Sequence, residues 1–284
     1  HSALYDLNGV LPVMAQLQDL LPRASSARRA AGELILASLY QSQGEYKRAL
    51  THIRAALSAA KQLSDSKLIG QCSFVQAVLH YRQDELDEGV AAIQRARRYA
   101  EQTQEPLGIG ECWNFEGVLR RARGEYNLAL QAYRNARTYY EQANYPLGIA
   151  YTIANTGLVY WTMGLYEDAR LHYREAMPRF QQLGAEWDVT TCTLNTAILL
   201  QHDGDIDGAL ELYRDALKRY EALGDAEGVA FCLNNMAAAF SQARRYTEAW
   251  SHAHRAILQY EQVGNQAKAA SARQVKAQAL LDLN

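Results

Sequence analysis

Apolar residues in this chain recur four and seven positions apart, in stretches separated by short, mostly glycine-containing turns. Phe74, Val78 and Tyr81 form one such set, and Tyr151, Leu158 and Trp161 another. This spacing gathers side chains on one face of an α-helix. The stretch GLVYWTMGLYEDARLHY carries the whole unit: a helix, a tight turn and a second helix. Alternating runs rich in Val, Ile and Thr are scarce, so no sheet is expected. No run approaches the roughly 18 consecutive apolar residues of a transmembrane helix.

The turns keep a fixed period. Gly44, Gly124, Gly164 and Gly204 are separated by multiples of 40 residues, with Asp84 and Arg244 at the two remaining steps. Around them the chain reads GEYKRAL, DELDEGV, GEYNLAL, GLYEDAR, GDIDGAL and RRYTEAW. Seven residues before each turn stand Ala37, Ala77, Gly117, Gly157, Ala197 and Ala237. Five after it come Ala49, Gly89, Ala129, Ala169, Ala209 and Ala249, and twelve after it Ala56, Ala96, Ala136, Ala176, Ala216 and Ala256. Closely crossing helices leave room for little more than a methyl group or a hydrogen, so the three columns mark helix–helix crossings. Gly184, Gly224 and Gly264, also 40 apart, suit the left-handed end of a second helix, with Asn144 in that place in another copy. Pro106 and Pro146 lie just beyond, where proline opens the next helix.

A small residue, a seven-residue gap, a Gly-x-Tyr turn and two alanines seven apart resemble the tetratricopeptide repeat, over about residues 26 to 284. The resemblance implies an all-α fold, a right-handed α-solenoid (superhelix) of antiparallel helix pairs. The usual unit of that family has about 34 residues, against 40 here. The long form is similar to arrays in kinesin light chains, Gα-binding polarity scaffolds, bacterial peptide-pheromone receptors and the sensor regions of MalT-like or STAND-type ATPase regulators. The segment EALGDAEGVAFCLNNMAAAF resembles the bacterial regulators most.

The repeats are assigned to 26–65, 66–105, 106–145, 146–185, 186–225 and 226–265. Residues 266–284 fit the first helix of a seventh unit, with Ala277 continuing the small-residue column. Residues 1–25, with NGVLPVMAQLQDLL, resemble a degenerate second helix. Both ends are expected to be caps or the cut edges of a longer array. The opening HSALYDLNGV has no start methionine, basic leader or signal-like apolar stretch, and reads as the front of an excised or tagged fragment.

Composition narrows the function classes. Apolar residues make up 49% of the chain and charged residues 21%, enough for a core and unlike a disordered segment. The net charge of −2 gives no whole-chain field toward nucleic acid or an anionic membrane, and neither is expected as a direct partner.

Candidate chemistry is sparse. Cys72, Cys112, Cys192 and Cys232 share one repeat phase. Equivalent points on stacked helices lie at least ~8–10 Å apart, whereas a disulfide needs Cα atoms within ~7 Å. The column is therefore read as packing, with free thiols that point to a reducing, cytoplasmic setting. Asp203, Asp205, Asp207 and Gly208 spell the front of a calcium loop, but Arg214 stands where the bidentate glutamate belongs. Seven histidines are scattered, with His52, His172 and His252 in phase on different repeats, and no catalytic or phosphate-binding motif occurs. No catalytic residue, metal site or cofactor is assigned, and the chain is read as non-enzymatic.

The binding candidates lie on the first helices. Asn155, Asn195 and Asn235 share one phase, nine residues before the turn, where earlier repeats carry Ile35, Val75 and Phe115. Asparagine is a poor mid-helix residue, so three in phase require a reason. One is local packing or capping. The resemblance implies another: the first helices line a concave groove, and an amide in this phase donates to and accepts from a ligand backbone. Helical spacing adds Phe74, Val78 and Tyr81, then Asn114, Val118 and Arg121, then Tyr151, Leu158 and Trp161, then Leu194, Ile198 and Gln201, and finally Phe231 and Asn234. This lining has the apolar and aromatic composition of a binding-patch centre, unless some of it packs between repeats. Trp161 is its foremost anchor, whereas Trp113 matches the family's packing tryptophan. Arg82 and Arg121, on adjacent repeats, are either a clamp for a carboxylate or phosphate or part of a solvated face.

The expectation is a non-catalytic protein- or peptide-binding domain, the sensor or scaffold part of a larger signalling regulator, with other domains of the same polypeptide as further partners. A small-molecule sensor and a self-associating structural array are the alternatives.

Overall fold

The computed structural model of the chain describes residues 7–283. Fourteen α-helices and one 3-10 turn are present, with no strand among the described residues. The leading HSALYD of the N-terminal segment lies outside them. The helices fall into two compact units that divide at Met163/Gly164.

The N-terminal unit holds α1 (Leu7–Leu20), the 3-10 turn Leu21–Arg23, and α2 (Ser26–Ser42), α3 (Tyr46–Gln62), α4 (Ser66–Arg82), α5 (Leu86–Thr103), α6 (Pro106–Ala122), α7 (Tyr126–Gln142) and α8 (Pro146–Thr162). Within it α2 packs on α3, α4 on α5 and α6 on α7, and each second helix packs on the first helix that follows. The C-terminal unit holds α9 (Tyr166–Gln182), α10 (Glu186–His202), α11 (Ile206–Leu223), α12 (Ala226–Gln242), α13 (Tyr246–Gln262) and α14 (Gln266–Leu283), each packed on the next.

From α2 onward each turn passes through one residue with positive φ. Gly44, Asp84, Gly124, Gly164, Gly204 and Arg244 do so after first helices; Ser64, Gln104, Asn144, Gly184, Gly224 and Gly264 do so after second helices. The following amide closes the turn on a carbonyl five residues back, as Glu45 does on Tyr40 at 2.9 Å and Asp205 on Leu200 at 3.0 Å. These bonds satisfy carbonyls left open at a helix end. Glycine adopts this conformation without strain, and at Asp84, Ser64 and Gln104 the chain accepts about 1–2 kcal/mol to keep it.

The three small-residue columns are buried, and the larger side chains they admit are specific. A Cβ built on Gly117 would sit 2.5 Å from the Tyr133 ring, and one on Gly89 would sit 2.8 Å from Leu119. Tyr133, Tyr173 and Tyr213, in phase with Ile53 and Ile93, are all fully buried on second helices. Since packing runs between successive helices, residues 1–145 and 146–284 made separately should each stay helical and melt at a lower temperature than the whole. Circular dichroism showing both pieces unfolded would contradict that.

Candidate functional site

In the N-terminal unit the first helices α4, α6 and α8 carry a continuous aromatic and amide lining. Phe74 and Tyr81 meet Phe115 with ring centroids at 5.5 and 5.8 Å, the second edge to face. Such pairs fix ring orientation as well as burying area. Asn155 donates from Nδ2 to Oδ1 of Asn114 at 3.2 Å, joining α8 to α6. Val78, Val118, Tyr151 and Leu158 are half-buried along the same helices. Trp161, at the end of α8, is 37% exposed. Arg82 is exposed and Arg121 half-buried, the latter close to the Tyr133 phenol, whose ionisation burial suppresses.

In the C-terminal unit Asn195, Ile198, Gln201, Phe231, Asn234 and Asn235 are half-buried on α10 and α12. Asn235 donates to the Phe231 carbonyl of its own helix at 2.9 Å. The Asn195 side chain makes no hydrogen bond among the described residues. Asn234 Oδ1 is buried with no hydrogen-bond partner, an arrangement native proteins rarely leave unanswered. Lys268 lies over the Phe231 ring at 5.7 Å while paired with Glu227 at 2.7 Å.

One sequence expectation needs correction. Leu194 does not face a surface: it is 3% exposed, within the core of the C-terminal unit beside Ala197 and Leu210. It lies one residue away from the half-buried Asn195. The asparagines are not three equally free amides, since Asn155 and Asn235 each commit a donor inside the protein. Trp113 is half-buried, with the Arg97 guanidinium 3.5 Å from its ring centroid, so it is a cation–π platform at the edge of the core.

The Asp203–Gly208 segment is a helix start. Asp205 accepts from the Gly208 amide at 3.0 Å as the cap of α11, and Asp203 is held by Arg170. No cluster of metal-binding side chains occurs among the described residues. All four cysteines are buried and free. Burial pushes the thiols up, to about 11 for Cys72 and about 12 for Cys112, Cys192 and Cys232. The thiolate is the reactive form, so a thiol reagent at neutral pH should react slowly with the native chain. Four equivalents should appear after denaturation without reductant, and recovery of two or none would overturn the packing role.

Sequence reasoning missed Glu116. Its carboxylate, 7% exposed on α6, takes Arg97 at 2.7 Å and Arg120 at 3.3 Å, with Gln94 at 3.4 Å. Arg120 also reaches Glu125 at 2.7 Å. Its phase holds Leu36, Gln76, Thr156, Thr196 and Met236, so no apolar column marked the carboxylate out in the sequence.

Paired antiparallel helices with small residues at their crossings define a helix-pair repeat protein. Residues 189–262 and 34–67 each match a tetratricopeptide-repeat family model, and the chain carries tetratricopeptide repeats. No curated protein matches it in sequence. Among solved structures, the apo form of the quorum sensor NprR from B. thuringiensis is similar with a TM-score of 0.66 and 13% identity, over 97% of this chain and 83% of that one. NprR in complex with its cognate peptide NprX gives 0.64 and 16%, over 86% and 72%. A STAND protein with a tetratricopeptide repeat sensor from Pyrococcus horikoshii gives 0.68 and 12%, over 94% of this chain and 45% of that protein. At such identities the likeness is one of fold. No described helix is long and apolar enough to cross a membrane.

Proposed function

We propose that the chain is a non-catalytic recognition domain that binds an extended peptide, or an extended segment of a protein, along its first helices, as the sensing or scaffolding part of a regulator. The observation that carries this is the lining of α4, α6 and α8, where the Phe74–Phe115–Tyr81 rings stand beside the Asn114–Asn155 amide pair. Rings give burial irrespective of ligand direction, and amides with unused donors and acceptors suit a peptide backbone. The fold's likeness to a quorum sensor solved with its cognate peptide supports the same reading.

The test is a random peptide display against the whole chain, followed by titration of enriched peptides against Phe74→Ala and Asn114→Ala. Enriched sequences that lose affinity on both variants are expected. Enrichment no greater than on an unrelated helical-repeat protein would refute the reading, as would peptides indifferent to both substitutions.

A further inference from the structure

One position of the repeat is filled by a large ring in four copies: Tyr140, Phe180, Tyr220 and Tyr260 are each 3% exposed or less. At Tyr140 the ring is held between two glycines. A Cβ on Gly110, of the same pair's first helix, would come within 2.9 Å of it, and one on Gly148, of the next first helix, within 2.7 Å. Tyr220 packs on Gly228 in the same way and meets the Thr191 hydroxyl through its own at 2.9 Å.

In the second repeat both glycines are kept and the ring is absent. Gly70 and Gly108 occupy the phases of Gly110 and Gly148, but Ala100 stands where Tyr140 does. A Cβ on Gly108 would meet only the Ala100 methyl, at 3.8 Å. What remains is a cavity of about 240 Å³ between α4, α5 and α6, floored by Ala96, Ala100 and Cys112 and walled by Phe74 and Tyr99. Gln71 lines it in the phase of Thr191, the residue that greets the Tyr220 hydroxyl. Lys67 and Glu105, exposed and paired at 3.0 Å, stand at its edge. The first repeat also carries an alanine there, Ala60, but with Ala30 and Leu68 in the glycine phases.

We infer that this cavity is a binding site for an aromatic ring, of the phenol class, supplied from outside the chain. The chain itself shows which shape the notch takes, since it inserts a ring between the same pair of glycines one repeat later. Apolar cavities of about 150 Å³ already admit benzene, so the space here takes a ring with substituents. The bearer is either a free small aromatic molecule or an aromatic side chain of a bound peptide. The site shares Phe74 with the proposed peptide surface but does not depend on the asparagines.

The test uses the whole chain, with p-cresol and the blocked peptide acetyl-Gly-Gly-Tyr-Gly-Gly-amide as probes and the methyl resonances of Ala96 and Ala100 as readout. Saturable shifts of these methyls are expected with at least one probe. Tighter binding by p-cresol assigns the ring to a free molecule, and tighter binding by the peptide to a side chain. Ala100→Phe should fill the notch from within, raise the melting temperature and weaken either probe at least tenfold. Should that variant not melt cooperatively, Ala100→Leu offers a smaller plug with the same expected direction. Methyls unmoved by both probes would overturn the site, as would undiminished binding to a folded plugged variant. Loss of peptide display binding on Asn114→Ala with p-cresol binding intact would separate this site from the peptide surface.

Discussion

Replacing Glu116 by Ala is expected to destabilise the N-terminal unit by about 3–5 kcal/mol, the range for removing one partner of a buried charge pair. The size follows from what stays behind. Arg97 and Arg120 are 18% and 17% exposed at their side chains, and both point at the vacated carboxylate. Two like charges would then share a poorly hydrated space, with only Glu101 and Glu125 left to them. Arg97 cannot simply swing outward without leaving the Trp113 ring. Glu116→Met should cost nearly as much, although Met236 occupies the equivalent position, because lost charge rather than lost volume dominates. Adding Arg97→Met and Arg120→Met should recover most of the loss, since well-packed apolar replacements of buried ion clusters are often neutral or better. Urea midpoints followed by circular dichroism decide this. A loss below about 1 kcal/mol for Glu116→Ala would place the cluster with ordinary surface pairs.

That cluster also shows where sequence reading reached its limit. Periodicity exposed the turns because a left-handed residue is needed at each reversal, and glycine or asparagine supplies it at Gly44, Asn144 or Gly184. Ser64 and Gln104 do the same without a compositional flag, so only the register of their neighbours locates them. The small-residue columns were legible because close crossings tolerate little else. The residues those columns admit were not. Tyr133, Tyr173 and Tyr213 look amphipathic in sequence, yet they are the largest fully buried side chains, fitted against positions such as Gly117. Leu194 and Asn195 are adjacent, and a turn of about 100° per residue separates core from surface. The facing of Leu194 therefore depends on how α10 is rotated against the helices around it, which spacing along one helix does not fix. The same ambiguity hid the Asn114–Asn155 bond, which joins two phases rather than repeating one.

The combined variant Asn195→Ala, Asn235→Ala, both within the C-terminal unit, should bind a display-selected peptide about tenfold weaker than the parent. A hydrogen bond to a ligand contributes about 0.5–1.5 kcal/mol net, and up to about 3 when its loss strands a buried partner. Two together reach about 1.4 kcal/mol readily, and each 1.4 kcal/mol is about tenfold. The contributions should not be equal. The Asn195 side chain has no internal hydrogen bond to lose, so its substitution should affect binding with the least change in melting temperature. Asn155→Ala also removes the bond to Asn114, and Asn235→Ala the bond to the Phe231 carbonyl, so both should lower stability by about 1 kcal/mol as well. Trp161→Ala, from a position 37% exposed and open to a ligand, should cost about 2 kcal/mol of binding and little stability. Titration and melting curves on the same four single variants separate recognition from packing. If the double variant stays folded and binds the peptide as the parent does, the amides serve the helices alone.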